Sequence, residues 1–171
     1  MARNTLLKLI NFMLFQAGWF AGVLLANAWA LLVALAVLGF HLTVVSPQPA
    51  QEGRFILLGV VVGTLLDGLW FRLGILQDAA GSPWTPMWLV AIWIVFMTTL
   101  AHSLAWMHRP AWLPFIFAPI AGPFAYYAAA QLGAVDLPDL VMSLAALGVG
   151  WGVIFPLLMW LQRRYFRETL T

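Results

Sequence analysis

Apolar residues run along this chain in long stretches broken by a few short polar segments. From Leu9 to Val45 the chain is almost continuously apolar. As one helix that stretch would be about 55 Å long, far beyond a bilayer, so it must fold back once. The turn is placed at Ala26-Asn27-Ala28, because Asn tolerates the left-handed conformation that ends helices and Trp29 suits an interface. This predicts helices over 8–25 and 28–45. Ser46 to Arg54 is the clearest loop, being polar and carrying Pro47, Pro49 and Gly53. A third helix is predicted over 55–76. After a polar turn at 77–83 comes a fourth helix over 85–107, with Pro86 in its first turn. The fifth, over 112–132, contains Pro114, Pro119 and Gly122-Pro123 and is expected to be kinked or broken. A short acidic turn from Asp136 to Asp139 leads to the sixth, over 140–161.

Composition makes lipid the surroundings of these helices. The chain is 64% hydrophobic and 8% charged, whereas soluble domains are roughly half apolar and about a quarter charged. At about 20 residues per span, the 171 residues hold six helices and no soluble domain. The expectation is therefore an all-α, polytopic transmembrane bundle in one membrane domain. Arg3 and Lys8 ahead of an apolar run, with Ala26-Asn27-Ala28 behind it, imitate a secretory signal. The run is longer than a signal core and carries Asn11 and Gln16, so it reads as a retained first helix.

The cations set the orientation. With the amino terminus inside, Arg3, Lys8, Arg54, Arg109, Arg163, Arg164 and Arg167 all fall on the cytoplasmic side, and only Arg72 does not. Both termini are thus expected in the cytoplasm of a bacterial inner membrane. The eight cations are too dispersed for a nucleic-acid surface. The absence of cysteine excludes disulfides and thiolate chemistry. Most of the ten tryptophans are assigned to interfacial belts.

Asp67 is the most informative residue, since a carboxylate in the middle of a membrane helix is costly unless paired, hydrated or protonated. Gly59, Gly63 and Asp67 recur every fourth residue on one face, so the glycines admit a close neighbour and Asp67 points into the bundle. Arg72 is placed to pair with it or to reach the outer interface. A buried clamp between helices and a substrate or proton site are both open readings. In the fourth helix, Thr98, Thr99, His102 and Ser103 form a polar stretch, with a proton shuttle and a plain interhelical hydrogen bond as alternatives for His102. Asn11 and Gln16 are polar groups in the first helix, where Gly18 and Gly22 favour close packing. If these faces converge, Asn11, Gln16, Asp67, Thr98 and His102 line a polar cavity. The break at Gly122-Pro123 offers backbone groups to a ligand, or is a packing kink.

Enzyme motifs are missing. There is no zinc HExxH, no phosphate loop and no nucleophile elbow, and His41, His102 and His108 lack carboxylates at ligand spacing. No catalytic residue, metal site or cofactor is expected.

The chain resembles a family of bacterial inner-membrane proteins known as domain of unknown function 2878. The resemblance is carried by Asn11 with Phe15-Gln16 and Trp19-Phe20, by Gly63 to Asp67 with Leu69-Trp70, by Trp93 with Thr99 to Trp106, and by Gly122-Pro123 with Tyr126. It covers nearly the whole chain and adds Trp19 and Tyr126 to the candidate binding residues. The family has no established activity, and its gene neighbours imply lipid modification or stress response by association only. A fainter likeness in size, topology and the Gly-x-x-x-Asp element is to the substrate-binding subunits of vitamin transporters and to rod-shape-determining membrane subunits; it carries no function across.

Three functional classes follow. The leading one is a membrane protein that binds or transports a lipid-like or small amphiphilic molecule, alone or with a membrane partner protein. The second is an enzyme or enzyme subunit acting on acyl chains, with Asp67 and His102 as acid and base. The third is a scaffold without a cavity.

Overall fold

The computed structural model describes residues 2–170. Among them six α-helices follow one another: α1 (Ala2–Leu25), α2 (Trp29–Phe40), α3 (Pro49–Arg72), α4 (Met87–Met97), α5 (Leu113–Gln131) and α6 (Leu140–Tyr165). A π-helical turn, His41–Val45, continues α2, and 3-10 turns lie at Ala105–His108 and Arg167–Leu170. Four helices are long and apolar enough to cross a membrane: α1, α3, α5 and α6. The segment Trp29–Val45 and α4 are shorter apolar helices.

α4 is apolar on every side, the pattern of a helix without a solvent face. Accordingly α1, α2 and α3 all pack on it, and Trp88, Leu89, Ala91, Trp93, Ile94, Val95 and Met97 are buried. α5 and α6 form a hairpin, which touches the first group mainly through α3 and α6. The bundle therefore consists of three helices around α4 and a two-helix hairpin beside them.

Glycines set the spacing. In place of the close helix neighbour expected at Gly59 and Gly63 stand large side chains: Met97 fills the space at Gly59 and the Trp93 ring the space at Gly63. The same socket recurs for Trp84 on Gly68, Trp70 on Gly150 and Trp151 on Gly122. Trp93 and Trp151 then stack, with centroids 5.3 Å apart and planes 2° from parallel, joining α4 to α6. Trp70, Trp88, Trp93 and Trp151 are buried, so a good part of the tryptophan set belongs to the core and not to interfacial belts.

Several boundaries differ from the sequence expectation. The first turn is at the expected place, but Ala26 takes the left-handed conformation (φ 43°). Asn27 instead accepts the Trp29 N–H through its side chain, 2.9 Å, and starts α2. α3 begins at Pro49, six residues before the expected start of 55, because proline fits a first helical turn and loses no hydrogen bond there. α4 ends at Met97, ten residues before the expected 107. The Thr98 and Thr99 hydroxyls turn back onto the carbonyls of Val95 and Phe96, at 2.7 and 2.6 Å, and compete with helix continuation. α5 is continuous through Pro119 and Pro123 and is not broken. Its prolines serve the hairpin, with Pro119 lying over Gly148 and Gly152 of α6.

α3 and α5 end alike. Gly74 (φ 70°) and Gly133 (φ 81°) adopt the left-handed conformation that closes a helix, and the next amides, of Ile75 and Ala134, return to Trp70 and Ala129. Gln77 and Asp136 then pair their backbones, tying the two connections together at this end. The other end carries both chain ends, the α2–α3 connection and the α4–α5 connection. Every lysine and arginine except Arg72 lies toward that end.

The sockets predict a contrast. Gly63→Ala places a Cβ in the Trp93 ring and is expected to destabilise the protein by about 1–3 kcal/mol, whereas Gly39→Ala points into open space and should cost nothing. Thermal unfolding in detergent, compared between the two variants, checks this.

Candidate functional site

Three features lie within the bundle: two buried polar clusters and an apolar cleft. The first cluster surrounds Asp67, which is completely buried on the glycine face of α3. Trp93 Nε1–H donates to one carboxyl oxygen and Tyr126 O–H to the other, both at 2.6 Å. Asp67 thus joins α3, α4 and α5 at one point. Arg72 is not its partner; its side chain is exposed at the end of α3. Placement of Asp67 inside the bundle was legible in the Gly59, Gly63, Asp67 spacing, while its partners sit on other helices.

The second cluster was not anticipated. Because α3 starts at Pro49, Glu52 lies in its first turn and is buried, not in a loop. Its Oε1 faces His41 Nε2 at 2.7 Å and His102 Nε2 at 3.0 Å. This corrects the reading that these histidines lack a carboxylate: three separate segments supply the group. Proline followed closely by an acid is a helix-start signal, and it was available in the sequence.

Asn11 organises the surroundings. Its Oδ1 accepts from Ser103 N–H and Oγ–H, at 3.2 and 2.7 Å, and its Nδ2 donates to the Thr98 carbonyl at 3.1 Å. One side chain of α1 therefore partners two of the backbone groups left open where α4 stops, while local backbone bonds serve Thr99, His102 and Leu104. With the amide oriented by these bonds, Nδ2 is also the group 3.3 Å from His41 Nδ1. That nitrogen accepts, so His41 Nε2 carries the proton given to Glu52.

His41, Glu52 and His102 are also a group able to hold a metal ion, with donor atoms within 4.8 Å of one another. A metal would need a bare His41 Nε2 and would turn an Nδ1–H against the Asn11 amide. The donor set fits a hydrogen-bonded network better than it fits a metal.

The cleft has a volume of about 730 Å³ and lies between α1 and α4 on one side and the α5–α6 hairpin on the other. Phe15, Trp19, Ile92, Phe96, Tyr126 and Trp151 form much of its wall. Gln16 is one of few polar groups there, and the exposed Phe20, Phe117 and Phe124 mark its opening. Of the candidate residues, Gln16, Trp19 and Tyr126 line it, Asn11, Thr98 and His102 belong to the Glu52 cluster, and Asp67 stands behind Trp93 and Tyr126. The single polar cavity expected from these residues is divided into an apolar cleft and two closed networks.

The networks differ in how they tolerate change. Asp67→Asn can turn its oxygen to Trp93 and its amide to the Tyr126 oxygen, and is expected to fold. Asp67→Leu strands two buried donors at about 1–3 kcal/mol each. Asn11→Leu strands the Thr98 carbonyl and the Ser103 amide and is expected to lose a comparable amount. Unfolding midpoints order these variants; a leucine variant as stable as wild type would refute the corresponding network.

The chain belongs to the family described as protein of unknown function DUF2878, which matches it over residues 8–157. No curated protein and no solved structure matches it.

Proposed function

We propose that this member of a family without an assigned activity binds a lipid-like or small amphiphilic molecule in the cleft between α4 and the α5–α6 hairpin. The observation that carries the reading is the cleft itself: about 730 Å³, walled by aromatic rings, with Gln16 among its few polar groups. Concave, mostly apolar sites with a small number of polar groups are the usual form of small-molecule sites. An opening lined by exposed Phe20, Phe117 and Phe124 suits entry from the hydrocarbon layer. Asp67 supports the wall from behind by fixing Trp93 and Tyr126.

The membrane setting of this proposal is a bacterial inner membrane, with both termini in the cytoplasm. The gathering of cations toward one end of the bundle supports that orientation. In this setting the shorter α2 and α4 cross together with the turns that extend them. An enzymatic reading with Asp67 and His102 as acid and base needs the two groups to converge, and their hydrogen bonds hold them in separate clusters.

Ala121 and Ala125 line the cleft one turn apart on α5. Native mass spectrometry of the detergent-purified protein is expected to find a retained amphiphile in the wild type and its loss in Ala125→Trp, with the unfolding midpoint unchanged. No retained or added amphiphile in the wild type would remove the reading.

A further inference from the structure

A second cavity, of about 740 Å³, shares the Ala105–His108 turn with the cleft and has a more polar lining. It is lined by Arg109, Arg163 and Arg167 together with Ala105, Trp106, His108 and Leu170. The 3-10 turn Ala105–His108 lies between the two cavities. Leu104 and Met107 face the cleft, while Ala105, Trp106 and His108 face the arginines. Across this partition Trp106 meets Phe117 of the cleft wall edge to face, with centroids 6.1 Å apart.

We propose that the two cavities are halves of one site for an anionic phospholipid-like amphiphile, with acyl chain in the cleft and phosphate against Arg109, Arg163 and Arg167. The inference rests on the amphiphile reading above and names its ligand class. The arginines have no carboxylate to neutralise them: among the described residues the ion pairs are those of Glu52 with His41 and His102. Glu168, next to Arg167 in the chain, does not line the cavity.

Two of the guanidinium groups are held in place. Arg163 Nη1 donates to the His108 carbonyl at 3.1 Å, and Arg167 Nε to the Arg163 carbonyl at 2.7 Å. Arginine at a helix C-terminus complements the helix dipole. That accounts for Arg163 and Arg167, but not for Arg109, which faces them from the α4–α5 connection. The three guanidinium groups carry the positive charge, and their planar donor pattern matches phosphate oxygens. Trp106, half exposed at the rim, is the residue type that sits at headgroup level.

The test adds phosphatidylglycerol, phosphatidylcholine of the same chains, or inorganic phosphate to the purified protein and reads occupancy by native mass spectrometry. Wild type is expected to hold phosphatidylglycerol at least about tenfold more tightly than phosphatidylcholine, and to hold phosphate alone weakly. Arg109→Gln combined with Arg163→Gln should lose the preference but keep phosphatidylcholine-level binding, and Ala125→Trp should lose both lipids. Equal binding of the two lipids by wild type, or an unchanged preference in the arginine variant, overturns this inference and leaves the cleft reading standing. Phosphate binding as tightly as phosphatidylglycerol, with lipid occupancy indifferent to Ala125→Trp, overturns the joined site in favour of a free-anion pocket. Absence of any lipid binding by folded wild type removes both readings.

Discussion

Inside a bundle surrounded by lipid, a polar group that is not satisfied by the protein is not satisfied at all. The short α4 makes this constraint concrete. The helix stops at Met97, leaving backbone groups of Thr98 to Leu104 outside regular structure. The Asn11 amide meets part of this need from α1 with a donor for the Thr98 carbonyl and an acceptor for the Ser103 amide. The turn so held carries His102 to Glu52, and the same amide orients His41 toward that carboxylate. Placement of the following 3-10 turn, and with it the wall between the two cavities, depends on this exchange.

Shape is governed by the pairing of glycine with tryptophan. Each socket removes a Cβ so that a flat ring can lie against a helix, and the rings in turn keep the helices apart around them. Trp93 is the joint of the structure: it rests on Gly63, stacks on Trp151 and donates to Asp67. Such rings fill the space between α4 and α6 at one depth and leave it unfilled between α1 and α5, and the cleft occupies that remainder.

Much of the architecture was legible along the chain. The six helices, the fold-back at Ala26 to Ala28 and the inward face of Asp67 follow from run length, turn chemistry and four-residue spacing, which are local properties. The errors were local as well. Pro49 and Glu52 read as loop because a polar, proline-bearing segment resembles one, although proline is also a good first helical residue. The stretch 98–107 read as helix because its residues are apolar or small, and only the hydroxyls of Thr98 and Thr99 hinted otherwise. Trp93, Tyr126, His41 and Glu52 could not be paired from the sequence, since each partner lies on another segment far along the chain.

By itself, then, the sequence determined that this protein is a bundle of apolar helices, where most of them begin and end, and that its cations other than Arg72 lie toward one end. Those properties depend on the period and content of each segment and need no knowledge of its neighbours. Which donors reach Asp67, that His41 and His102 share Glu52, and that an apolar cleft and an arginine-lined cavity share a turn were decided only in the tertiary structure. Contacts between segments are set by how rings and glycines interlock across helices, and that fit exists only once the helices have come together.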